Sequence, residues 1–142
     1  MDVLMQGAMF MTEQMAGSDV GAIDTVARQD EDGTWRLYGD KWFCSNPDAA
    51  LAMVLARPEG GDAGTRGLSL FLLPRHLPDG TLNAYRILRL KDKMGTKSMA
   101  SGEIAIEGAV AHLVGDPGQG FKQMTDMINM SRLANGGCAA QA

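Results

Sequence analysis

Met11 to Ala22 reads MTEQMAGSDVGA, and within it Thr12, Glu13, Gly17, Ser18 and Asp19 crowd hydroxyls, carboxylates and a glycine into a few positions. Hydroxyl donors and successive backbone amides suit a loop that wraps an anionic group, because neighbouring N–H groups form a nest for negative charge. Glycine lets the backbone come close to such a group. The same residue types also suit an ordinary turn ahead of the next element. The stretch alone does not choose between the two.

Other residues invite chemical readings. Gly39 to Asn46, GDKWFCSN, sets an aromatic and a hydroxyl, Phe43 and Ser45, either side of Cys44. A core strand residue is the ordinary reading of Phe43, and Cys44 inside a strand pattern reads as a small buried hydrophobe. Arg86, Arg89, Lys91, Lys93 and Lys97 form the basic cluster of the chain. They suit a phosphate-bearing ligand or nucleic acid, but equally a solvated strand and loop, and Asp92 dilutes them. Gly115 to Gly120, GDPGQG, follows a strand and precedes a helix, yet its glycines come in the wrong order for a dinucleotide fingerprint. A glycine-rich linker is the better reading. His76 and His112 stand apart from cysteines and paired carboxylates, so neither a metal site nor a nucleophilic triad is expected.

The elements that position these residues are mostly short strands. AIDTVARQ, from Ala22, leads into Asp30-Glu31-Asp32-Gly33, a hairpin turn whose Asp-Gly tolerates positive φ. TWRLYG then alternates, with Trp35 and Leu37 on one face and Arg36 and Tyr38 on the other, and KWFCSN continues it. ALAMVLAR and GLSLFLLP are continuous apolar runs of strand length, separated by a polar, glycine-rich loop from Pro58 to Gly67. EIAIEG is a further strand, with Ile104 and Ile106 inward and Glu103, Ala105 and Glu107 outward. After Gly120 the period changes: Phe121, Met124, Met127 and Ile128 recur at helical spacing. This helix has an apolar stripe and little chain after it, and Met1 to Gly7 opens without a capped element. Both ends therefore suggest a middle domain cut from a longer protein.

Composition sets the bounds. The 142 residues suffice for one domain with a core, and 45% hydrophobic with 21% charged residues is ordinary for a soluble protein. Eighteen glycines agree with many turns. The longest apolar run, Ala49 to Ala56, is far too short to span a bilayer, and no basic segment precedes an apolar block as in a signal peptide. Two cysteines, Cys44 and Cys138, point to a reducing cytoplasm rather than a disulfide framework. The net charge is −4, and Asp2, Glu13, Asp19 and Asp24 all precede the first basic residue, Arg28. No basic arm for nucleic acid is present.

Three motifs then line up in order. MTEQMAGSD resembles the Thr-Glu-x-x-x-Gly-Ser-Asp signature of the acyl-CoA dehydrogenases, GDKWFCSN that family's second flavin-contacting strand, and Asp92 to Phe121 the strand and linker into its C-terminal helical bundle. The run YRILRLKDKMGTKSMAS is most similar to the AidB-like branch, flavoproteins linked to the alkylation-damage response. The resemblance implies an all-β fold, the middle-domain β-barrel of the family, with the start of a C-terminal helix. Residues 1–118 would be the barrel and 119–142 the beginning of a truncated helical domain.

The same resemblance implies FAD as cofactor and an acyl-CoA thioester as substrate, in a full-length, cytoplasmic homotetramer. Met9, Phe10, Met11, Thr12, Gly17 and Ser18 would form one wall of the flavin site, and Phe43, Cys44 and Ser45 the second. Thr12 would hydrogen-bond the isoalloxazine, while Ser18 and Arg132 would meet the acyl-CoA. Thr12 and Ser45 should then open toward one cleft. The family usually has Tyr, Pro-Gly, Trp and Thr where this chain has Met9, Gln14-Met15, Phe43 and Ser45. The catalytic carboxylate would come from outside this chain, so neither Glu13 nor Glu103 is assigned as base, and no metal is implied. On this reading the fragment alone is inactive and holds FAD weakly or not at all. The alternative is a damage-response flavoprotein that binds nucleic acid through a domain not in this chain.

Overall fold

The computed structural model describes residues 4–140; Met1 to Val3 and Gln141 to Ala142, at the outer limits of the two expected segments, lie outside the described residues. Its seven strands are β1 (Gly7–Phe10), β2 (Val26–Gln29), β3 (Trp35–Ser45), β4 (Leu51–Pro58), β5 (Ser69–Pro74), β6 (Tyr85–Leu90) and β7 (Ser101–Val114). One helix, α1 (Gly120–Ala139), follows. Five strands close on themselves, β4 to β2 to β3 to β7 to β5 and back to β4. Closure leaves β1 paired with β4, and β6 paired with β7, outside the ring. This is the expected barrel with a helix behind it.

The hairpin at Asp30–Gly33 forms as its sequence demands. Asp30 N donates to Thr34 O at 2.8 Å, and Gly33 takes a φ of 85°. Leu37 is fully buried. The two continuous apolar runs are strands covered on both faces. In β4, Ala52, Val54 and Ala56 line the barrel interior, while Leu55 points the other way into a second core. In β5, Phe71 and Leu73 face inward and Leu70 joins Leu55. That second core is closed by α1, whose Met124 is fully buried against it.

The structure differs from the expected elements at several points. Residues 22–25 are not strand: Asp19 Oδ1 accepts from Gly21 N at 3.0 Å and starts a 3-10 turn at Val20–Ala22, so β2 begins only at Val26. The segment read as EIAIEG extends to 14 residues because β7 pairs with three neighbours in succession. Glu103 does not face outward into water. It is 5% exposed because Arg89 and Lys91, on or just after β6, reach across and cover its carboxylate at 2.7 and 3.3 Å. Ile104 and Ile106 are buried as expected.

The linker Gly115–Gly120 delivers α1 against the barrel with no room to spare. Gly118 N donates to Ser69 Oγ at 3.0 Å and Gly120 N to Leu68 O at 2.9 Å. A Cβ on Gly120 would lie 2.3 Å from the carbonyl carbon of Ser69. Among the described residues no helix is long and apolar enough to cross a membrane. Gly120→Ala tests the close approach. In an unobstructed helix this change gains up to about 1 kcal/mol; here it should cost about 1–3 kcal/mol, read as a lowered urea midpoint.

Candidate functional site

The segment after β1 leaves the ladder at Phe10, and a few backbone bonds together with buried side chains hold it. Trp42 N donates to Thr12 O at 2.7 Å, tying the segment to β3. One residue on, Glu13 turns inward and is 5% exposed. Its carboxylate accepts from Asp24 N at 2.6 Å, from Thr25 N at 3.2 Å, from Thr25 Oγ1 at 2.5 Å and from Lys41 Nζ at 2.6 Å. Lys41 is wholly buried, and its ammonium also donates to Met11 O at 3.5 Å. Gly39, with a φ of 148°, makes this possible: a Cβ there would sit 2.7 Å from Thr25 Oγ1.

Burial pushes the Glu13 carboxyl up, but the Lys41 charge and the four hydrogen bonds outweigh it, and the group stays below the ordinary value of 4.5. Burial pulls Lys41 down, opposed by Glu13.

Strand β3 is irregular where the second wall begins. Its pairing with β7 slips between Lys41 and Cys44, and Phe43 adopts a φ of 57°. The extra residue puts Lys41 and Cys44 on the same inner side and turns Phe43 out, 59% exposed. Lys91 Nζ then lies 4.0 Å from the Phe43 ring centroid and 4.6 Å from that of Trp42. Burial pushes the Cys44 thiol up to about 12, so it is an inert core group.

The sequence-derived residues fall into three sets. Met9 and Ser45 meet across one cleft of about 560 Å³, completed by Gly7 and Ala8 of β1, Asn46, Met53 of β4, Met99, and Met127, Ser131 and Asn135 of α1. Thr12 is half-buried and does not line this cleft; its carbonyl, not its hydroxyl, makes the contact with the second wall. Phe43 lines a neighbouring groove of about 540 Å³ with Arg89, Leu90, Lys91, Asp92, Lys93 and Glu103. Phe10 and Cys44 put their side chains in the barrel core, leaving only their backbones for a ligand, while Met11 packs into the second core. Gly17, Ser18 and Arg132 are exposed, and Arg132 follows the cleft-lining Ser131.

The basic cluster is largely paired. Arg86 meets Glu107 at 2.6 Å, Arg89 and Lys91 share Glu103, and Lys93 Nζ donates to Met99 O at 2.5 Å. Hydrogen bonds from Arg89 first, and from Lys91, hold Glu103 below its ordinary value despite burial. Sequence reasoning missed Ser131 and Asn135. They lie four and eight residues after Met127, on the face its helical stripe already marked. The partnership of Glu13 with Lys41 had no local signal, since 28 positions separate them.

The model for the acyl-CoA dehydrogenase middle domain matches residues 8–109. Acyl-CoA dehydrogenase family member 11 from Caenorhabditis elegans is 44% identical over 89% of this chain and 21% of its own length. The putative acyl-CoA dehydrogenase AidB from Escherichia coli is 45% identical over 87% of this chain and 22% of its own. Among solved structures, C. elegans ACDH-11 in complex with C11-CoA superposes with a TM-score of 0.84 at 43% identity, over 92% of this chain and 23% of that one. This chain thus spans about a fifth of the length of these curated relatives.

Two outcomes follow from the buried pair. Lys41→Met alone strands the Glu13 charge and should cost about 3–5 kcal/mol, measured by guanidinium unfolding at neutral pH. Because the folded-state value of Glu13 is depressed, its contribution is complete above the ordinary 4.5 and is lost as pH falls through the lower folded value. Glu13→Gln should therefore flatten the acid side of the stability-against-pH curve.

Proposed function

This chain belongs to the acyl-CoA dehydrogenase family as its middle domain, and from that premise we propose that it supplies flavin-facing and acyl-CoA-facing walls to an FAD-dependent acyl-CoA dehydrogenase. The observation that carries the reading is that Met9, two residues before the first motif, and Ser45, within the second, line one cleft under α1. Residues 1–118 are then the barrel unit and 119–142 the opening of a helical domain. The full-length protein works as a cytoplasmic homotetramer, and exposed Leu88 and Leu90 on β6 give it apolar surface for assembly.

The residues present fit such a cofactor. A flavin ring needs an apolar wall and polar partners at its edge. The cleft offers thioethers from Met9, Met53, Met99 and Met127, with Ser45, Asn46, Ser131 and Asn135 as polar groups. When bound, FAD would accept the β-hydride of an acyl thioester whose α-proton has gone to a carboxylate. Ser45 would donate its hydroxyl to the ring edge and Met9 would exclude water beside it, while Thr12 anchors the first wall to Trp42 through its carbonyl. Gly17 and Ser18 offer amides and a hydroxyl to the pyrophosphate or pantetheine, and Arg132 reaches toward the thioester end. Phe43 extends the second wall as an exposed aromatic. Glu13 is paired with Lys41, and Glu103 with Arg89 and Lys91, so neither serves as the carboxylate base. Within this chain, four of the five basic residues of the cluster are taken up by protein partners, which lowers their use for nucleic acid.

The test uses the full-length protein. It should purify with FAD and lose its oxidised-flavin absorbance when an acyl-CoA is added without oxygen. Ser45→Ala should weaken FAD retention by the worth of one hydrogen bond, about 0.5–1.5 kcal/mol. A full-length protein that takes up no flavin would falsify the reading.

A further inference from the structure

The two walls come from separate parts of the chain, and one carboxylate holds them in register. Glu13 adjoins Thr12 of the first wall; Lys41 precedes Phe43 and Ser45 of the second on the same strand. The same carboxylate collects the far end of the intervening loop through Asp24 N, Thr25 N and Thr25 Oγ1. Both ends of the loop that carries Gly17 and Ser18 therefore converge on one pair of oxygens. Burying a lysine completely is an inefficient way to add stability, because desolvation offsets most of the attraction and apolar replacements are often no worse. What an ion pair offers that apolar packing does not is a fixed direction and distance between the elements it joins.

We propose that Glu13 and Lys41 are a positioning pair, which sets the separation of the two walls and so the affinity of the cleft for flavin. The inference rests on the flavin reading above, and it assigns the pair to geometry rather than to net stability.

In the full-length protein, Glu13→Gln combined with Lys41→Met removes both charges together; the amide oxygen keeps the Thr25 bonds, and Asp24 N loses its acceptor. This variant should still unfold cooperatively, its melting temperature lowered only by the lost Asp24 bond, and should bind FAD about tenfold more weakly in an equilibrium titration of the apoprotein. The backbone amides of Asp24 and Thr25 should exchange with deuterium faster than in the wild type. Thr25→Val, a milder change that deletes one donor to Glu13, should shift both affinity and exchange the same way by less. A stable double variant with wild-type FAD affinity overturns the proposal. If the double variant does not fold, wild-type FAD affinity in Thr25→Val overturns it instead. Absence of FAD from the wild-type full-length protein defeats the parent reading, and unaltered exchange at Asp24 and Thr25 in both variants then defeats the clamp on its own.

Discussion

A regular strand sends residues 41 and 44 to opposite faces, and β3 cannot afford that. Its inner side must hold both the ammonium that neutralises Glu13 and the thiol that fills the barrel at Cys44. One extra residue against β7 resolves the conflict, with Phe43 taking a backbone conformation that costs about 1–3 kcal/mol for a residue with a side chain. The expense is local and its effects are wide. Lys41 and Cys44 go in, Phe43 goes out beneath Lys91, and Ser45 arrives at the cleft facing Met9. Removing the extra residue would reverse the facing of everything on one side of it.

The first wall depends on the same irregularity from the other direction. It has no sheet partner of its own beyond Phe10, so its path is set by the hydrogen bond that Trp42 N donates to Thr12 O and by the carboxylate of Glu13. A polar cluster inside a barrel is tolerated when every member is satisfied, and here each Glu13 oxygen and the Lys41 ammonium has partners. Electrostatics thus does for this loop what a ladder does for a strand.

Much of the architecture was legible along the chain because the physics was local. Asp-Gly at 32–33 announces a turn, alternation at Trp35–Tyr38 announces a half-buried strand, and the period-three-to-four recurrence from Phe121 announces a helix. The two unbroken apolar runs read correctly as strands since both faces are covered, one by the barrel interior and one by α1. Strand β1 was not legible, and β6 only as the solvated strand and loop that its basic run suggested. β1 is four residues long, and β6 carries Arg86 and Arg89 among its leucines, whose charges find their partners only across the sheet on β7. For the same reason Glu103 looked solvent-facing. At the site, motif order singled out Met9 and Ser45, which share one cleft, but the facing of Phe43 depends on a bulge that no period reveals, and the path at Thr12 on a contact with the distant Trp42.

Strand β7 has a consequence for how the chain is made. Without it, β3, β2, β4 and β5 would make an open sheet with β3 and β5 as bare edges, and β6 would have no partner. Some 40 residues separate the end of β5 from the end of β7, which is about 2–8 s of translation at ordinary elongation rates. For that interval the nascent polypeptide offers two unpaired strand edges to its surroundings. Closure at the ribosome is thus set by the arrival of its final strand, and helper proteins that shield strand edges have their opportunity before Val114 emerges.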